Sequence, residues 1–417
     1  MKKLLALLLA MSMLLCLAAC GDDSADKSKD DKNNSNTTAS AHAAPGTTGT
    51  VADNGDATTT VPAQSEAPSA SVTEGTDATE GTAGTTTGTE AKPTESKPTA
   101  SKPTTTQPTT PPTQPTQPEE PDEPVDTRPT IKILSIGHSF SVDAMKTYMP
   151  ELFQAAGYNA TIAYLYYPGC ALERHYHYIK EDKRAYQQYN KCVDGTWKNK
   201  GTSRVTDALW DEDWDIVTFQ PSPDYGQGKS YKCDWGCNKT ITNDYVHFNE
   251  TVNLVKGYLA SDDNKSGPNT DVKFYYHLTW AFSEDCELWS YMYSNFDQMT
   301  MYNDFLKATK DYVLPNKQIL GYIPCITSVQ NARTSWMGDT FNEPVVPGTQ
   351  GDGYHLNDKG DLVAAMTWVA YFTGKDANSF KISTKYSDDE YAAIAEAVNN
   401  AIKTPDKVTE SSYKTEP

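Results

Sequence analysis

Three short stretches of this chain hold side chains suited to covalent nucleophilic chemistry. Gly137-His138-Ser139-Phe140-Ser141 stands directly after the apolar run Ile131–Ile136, which places Ser139 in a tight turn between a strand and a helix. In such a turn the hydroxyl is exposed, and the backbone N–H at the opening of the helix points toward incoming negative charge. Far downstream, Asp352-Gly353-Tyr354-His355 sets a carboxylate three residues before an imidazole. One turn presents both on the same side, so that the carboxylate fixes the imidazole tautomer and stabilises the imidazolium ion. A nucleophile, a base and a group to orient the base are therefore available.

The elements that must position them alternate. Strand-like runs at Ile131–Ile136, Thr161–Tyr166, Asp215–Gln220, Val272–Leu278 and Gln318–Pro324 are separated by helical stretches at Val142–Ala156, Asn243–Leu259 and Phe296–Val313. Two helices close the chain, Asp358–Thr373 and Asp388–Ile402, the second behind the capping box Ser387-Asp388-Asp389-Glu390. This alternation predicts a three-layer α/β/α sandwich around a mostly parallel five-stranded sheet. Ligands of such sheets sit beyond the carboxyl ends of the strands. The informative residues are then Ser139, Pro168-Gly169-Cys170, Gln220-Pro221-Ser222 and Thr279-Trp280.

At these positions the chain resembles the SGNH, or GDSL-like, hydrolases, over roughly residues 131–375. The resemblance implies a flavodoxin-like sandwich with Ser139 as nucleophile, and Gly169, after the second strand, as a backbone donor to an oxyanion. It implies Asp352 and His355, followed by Leu356, Gly360 and an apolar helix, as the remaining catalytic pair. The third block departs from the family pattern, since Phe219-Gln220-Pro221-Ser222 stands where Gly-x-Asn-Asp is usual. Gln220 carries an amide of the same type on a longer stem and is expected to complete the oxyanion hole beside the N–H groups of Ser139 and Gly169. His138 replaces the commoner Asp or Asn; adjacent to Ser139 in a tight turn, it is not aimed to serve as its base. Tyr167, Tyr225 and Trp280, next to strand ends, are candidates for a platform on which sugar rings pack. His175, His177, His247 and His277 read as structural, and no metal or organic cofactor is implied. The expected activity is removal of acyl groups, acetyl first, from carbohydrate. The rivals are a glycan-binding surface module that does not catalyse and a lipase-like esterase with an apolar groove.

All 25 Tyr, 11 Phe and 8 Trp residues of the 417-residue chain lie after position 130, so only the later part can build a core. Residues 1–19 have the basic start and short apolar run of a secretory signal. Its end, Leu17-Ala18-Ala19-Cys20, resembles a bacterial lipoprotein box, which implies lipidation of Cys20 and anchoring on the outer face of the cell membrane. From there to residue 130 the chain is Thr-, Ser- and Pro-rich without aromatic, Ile, Leu or Met residues. It reads as a disordered tether with a reach of about 60 Å. Net charge divides as +2 over 1–20, −11 over 21–130 and −10 over 131–417. This acidic balance, without a basic stripe, argues against nucleic acid and for neutral substrates. The folded domain is expected over 131–404 and a flexible tail over 405–417. Of its six cysteines, Cys170, Cys192, Cys233, Cys237, Cys286 and Cys325, the close pair Cys233 and Cys237 suits a stapled loop, while the overall pairing is left open.

Overall fold

The computed structural model describes residues 126–233, 235–286, 297–345 and 352–417. Residues 1–125, which include the expected signal segment, Cys20 and most of the expected tether, lie outside the described residues. In chain order the elements are β1 (Thr130–Gly137), α1 (Ser139–Met145), α2 (Met149–Ala155), β2 (Asn159–Tyr166), α3 (Leu172–Lys180), β3 (Gln188–Val193) and β4 (Thr196–Asn199). There follow α4 (Val205–Leu209), β5 (Ile216–Phe219), β6 (Tyr231–Lys232), β7 (Thr240–Ile241), α5 (Phe248–Leu259) and β8 (Lys273–Leu278). The domain finishes with α6 (Gln298–Ala308), β9 (Ile319–Pro324), α7 (Cys325–Arg333), α8 (Asp358–Thr373) and α9 (Asp388–Lys403).

The five expected strands are the parallel neighbours β2-β1-β5-β8-β9, and β1 lies between β2 and β5. The apolar run Ile131–Ile136 suits that central place, because helices cover both faces of a parallel sheet. Helices α1, α2, α7, α8 and α9 pack with one another, as do α3, α4 and α5, and these two groups flank the sheet. The sheet has seven strands rather than five: β3 and β4 add an antiparallel hairpin to the edge of β2. Its turn is Asp194-Gly195, both residues with positive φ, 49° and 75°. Asp-Gly between two short runs is a hairpin signal; the polar composition of Gln188-Tyr189-Asn190-Lys191 hid the strand.

Three further differences have local causes. The single helix expected over Val142–Ala156 is two, because Pro150 enters the first turn of α2 and cannot continue α1. Helix α7 starts directly on the end of β9, with no loop to announce it. Residues 405–417, expected as a free tail, are bound back. Thr409 N donates to Asn331 Oδ1 at 2.6 Å, Ser411 Oγ to Glu396 Oε2 at 2.6 Å, and Trp336 N to Tyr413 O at 2.9 Å. The capping box before α9 forms as read: Glu390 N donates to Ser387 Oγ at 3.2 Å and Ser387 N to Glu390 Oε2 at 3.0 Å.

Candidate active site

Close packing shapes the turn after β1. A Cβ on Gly137 would stand 2.3 Å from Ser141 Oγ and 2.5 Å from Gln220 Oε1, so only glycine lets the chain pass. His138 then caps α1 in an extended conformation, its Nδ1 accepting from Phe140 N at 3.3 Å. The other ring nitrogen meets Pro221 O at 2.8 Å, so the neutral tautomer that serves both bonds carries its proton on Nε2. Burial, partly offset by the Pro221 bond, drives the His138 pKa down to about 3. With both nitrogens occupied, His138 is a helix cap. Ser139 follows as the first, half-buried residue of α1.

Gln220 does not lie where the resemblance placed it. Its side chain is fully buried. Its Oε1 accepts from His138 N at 2.9 Å and Ser141 Oγ at 3.1 Å, and its Nε2 donates to His277 Nδ1 at 2.8 Å. The longer stem carries the amide under the turn, where it links the ends of β1, β5 and β8 and is sealed from a substrate oxygen. Gln220→Ala orphans buried donors and acceptors and should destabilise the domain by about 2–4 kcal/mol. The urea midpoint reports this; a midpoint equal to that of the parent would remove the bracing role.

The turn before α8 holds the second half of the site. Asp352 Oδ1 accepts from Tyr354 N and His355 N, each at 2.9 Å, and its Oδ2 meets His355 Nδ1 at 2.5 Å. Gly353 makes this possible: its φ is +73°, and a Cβ would stand 2.6 Å from Ser283 Oγ and 2.9 Å from Cys286 Cα. Burial alone would raise the Asp352 pKa, but the bond and charge of His355 with the two backbone N–H groups hold it below the usual carboxylate range. Burial alone would lower the His355 pKa; the Asp352 bond, with the charges of Asp143, Asp352 and Glu343, raises it instead. The Nε2 of His355 is buried and, among the described residues, has no hydrogen-bond partner. In the neutral ring with its proton on Nδ1, this nitrogen is the acceptor.

The two halves meet. The Phe140 ring stands edge-on to the His355 ring at 5.6 Å, and Leu356 N donates to Asp143 Oδ2, on α1, at 3.2 Å. Thus Ser139, Asp352 and His355, 213 residues apart at their nearest, come to one end of the sheet. Gly169 lies on the loop after β2, exposed and with φ +51°, and Tyr167 N, two residues before it, ties that loop to the nucleophile turn by donating to Gly137 O at 3.3 Å. Among the described residues no cluster of three or more His, Cys, Asp or Glu is disposed to hold a metal ion.

A family model described as a domain of unknown function, DUF4886, matches residues 132–401. The chain belongs to the DUF4886 family. A crystal structure of a DUF4886 protein from Bacteroides uniformis is 31% identical, with TM-score 0.58, over 67% of this chain and 98% of that one. A carbohydrate acetylesterase from Sinorhizobium meliloti (9% identity, TM-score 0.30) overlaps 58% of this chain and 99% of its own. An acetyl xylan esterase (16%, TM-score 0.29) gives the same two shares, 58% and 99%. Both are too remote for an activity to be transferred. Among curated proteins no sequence matches the chain.

Within the DUF4886 domain the aromatic candidates part company. Trp280 is fully buried, stacked on Phe140 at 4.4 Å with its Nε1 donating to Tyr354 O at 2.8 Å. It supports the site from below, which corrects its expected role as a sugar platform. Tyr167 and Tyr225 are half-buried and belong to one row. The Arg174 guanidinium lies 5.0 Å from the Tyr167 ring and 4.9 Å from Trp235, Trp235 is 6.0 Å from Tyr231, and Tyr231 stacks on Tyr225 at 3.8 Å. Tyr231 and Trp235 sit on the β6–β7 insertion, which the Cys233–Cys237 disulfide closes. The sequence reading passed over Trp235 because nothing ties it to a strand end. It also passed over Asp143, whose one signal is its spacing of four from Ser139, which puts both on one helix face.

Proposed function

We propose that this domain is a serine esterase. The observation that carries the reading is the buried, unpartnered Nε2 of His355, held by Asp352 and set against the first turn of the Ser139 helix. In this mechanism Ser139 Oγ attacks the ester carbonyl carbon while its proton passes to His355 Nε2. The tetrahedral oxyanion is held by the backbone N–H groups of Ser139 and Gly169. As the C–O bond breaks, His355 returns the proton to the departing alcohol and leaves an acyl-Ser139 ester. Water, deprotonated by His355, then releases the carboxylic acid and regenerates Ser139. Asp352 keeps the proton on His355 Nδ1 throughout, which leaves Nε2 free to accept.

For substrate we propose acylated, chiefly acetylated, carbohydrate. The row from Tyr167 to Tyr225 starts beside the nucleophile turn, its half-buried rings being where the C–H faces of sugars would pack, and the acidic net charge disfavours anionic polymers. The mature protein should hydrolyse a small chromogenic acetate and be labelled by a fluorophosphonate on the peptide containing Ser139. A protein that binds acetylated glycan but neither turns over nor labels would instead be a binding module. We further propose that Cys20 carries lipid and holds the domain on the outer cell surface. Cys20→Ser should then release it to the medium, and unchanged fractionation with membranes would sink that proposal.

A further inference from the structure

We propose that Asp143 is a second carboxylate serving His355, a positioning residue that fastens the base to the nucleophile's own helix. The inference rests on the esterase reading for its catalytic part and on geometry for the rest. Asp143 lies one turn after Ser139 on α1, and its Oδ2 accepts the N–H of Leu356, the residue next to His355, at 3.2 Å. This bond joins α1 directly to the turn that carries the base. Motion of that turn relative to Ser139 would change the reach of the proton transfer, so the bond sets the geometry on which transfer depends.

The same carboxylate faces the imidazole electrically. Around His355 stand Asp352 on its own turn, Glu343 on the segment paired with that turn, and Asp143 on α1; His138, the cap of α1, is the neighbouring imidazole. Asp143 in turn faces Asp352, Glu343 and, from α8, Asp361. Asp361 Oδ2 accepts from Thr147 Oγ1 at 2.9 Å, while its buried Oδ1 has no partner among the described residues. Burial and neighbouring carboxylates raise both Asp143 and Asp361, to about 7 and about 9, while His355 pulls Asp143 the other way. A positive His355, the state reached as Ser139 attacks, favours the Asp143 anion that burial disfavours. Asp352 sets the tautomer through Nδ1; Asp143 adds a charge and a mechanical tie without touching either ring nitrogen.

Asp143→Asn separates the two contributions, since an amide oxygen still accepts from Leu356 N but carries no charge. Loss of a negative charge lowers the His355 pKa, so the acid limb of kcat/KM should move to lower pH by roughly one unit. The plateau kcat should fall between about threefold and tenfold, as a weaker base requires. Asp143→Ala also removes the tie and should lower kcat further and reduce the thermal midpoint. The His355 pKa is read independently of turnover from its imidazole Cε1–H resonance, in the full chain. If that pKa is the same in the parent and in Asp143→Asn, the inference is overturned, whatever the activity. If it moves while the parent hydrolyses no ester, the esterase reading fails and the pairing of Asp143 with His355 stands.

Discussion

Ser139→Ala should abolish hydrolysis of a chromogenic acetate while leaving the circular dichroism spectrum and thermal midpoint as they were. The loss should be on the order of 10⁴-fold or more, because the hydroxyl is the atom that forms the acyl-enzyme. Folding should not suffer. No described side-chain bond depends on Ser139 Oγ, in contrast to Ser141, whose hydroxyl is shared between Ser135 and Gln220 at 2.9 and 3.1 Å. Alanine also keeps the backbone N–H at the head of α1. The variant should therefore still bind acetylated glycan, and fluorophosphonate should no longer label it. Equal turnover in the two proteins would remove Ser139 from the chemistry and leave the aromatic row as the basis of a binding module.

Asp352→Asn should be the next most damaging change. An asparagine oriented to bond His355 through its amide would donate to Nδ1 and so drive the imidazole proton to Nε2, the nitrogen that has to accept from Ser139. A fall in kcat of roughly 10³- to 10⁴-fold follows from the wrong tautomer. Its pH dependence has a definite sign. In the parent, kcat/KM should rise with pH through the raised His355 pKa, above the ordinary imidazole value of 6.5, because the neutral ring is the base. Removing Asp352 lowers that pKa, so what activity remains should extend to lower pH. Stability obeys the same linkage. The raised His355 contributes below its unfolded pKa and loses that contribution as pH rises through the folded value; the lowered Asp352 contributes above its unfolded pKa and loses it as pH falls. The pair thus stabilises most between the two. An Asp352→Asn variant with parental kcat and an unmoved acid limb would show that His355 is not oriented by this carboxylate.

Local pattern was enough to read the five parallel strands and the final two helices, and it singled out the candidate stretches of Ser139, Gly169 and the Asp352–His355 turn. Each is a short-range feature, an apolar run, a cap or a turn whose residues interact with near neighbours. What depended on contacts between distant segments could not be read that way. Gln220 carries an amide like the asparagine it replaces, yet only the packing of β1, β5 and β8 turns it inward to His138 and His277 and takes it from the site. Trp280 is a strand-end aromatic in sequence and a buried floor under Phe140 in the fold. Residues 405–417 are polar enough to look free, but Asn331, Trp336 and Glu396 supply their partners from α7, the loop after it and α9. Asp143 acquires its meaning only when Leu356, more than two hundred residues later, is folded against it. Sequence determined which groups were available to react; tertiary packing decided which of them face one another, because burial and hydrogen-bond partners are properties of neighbours in space.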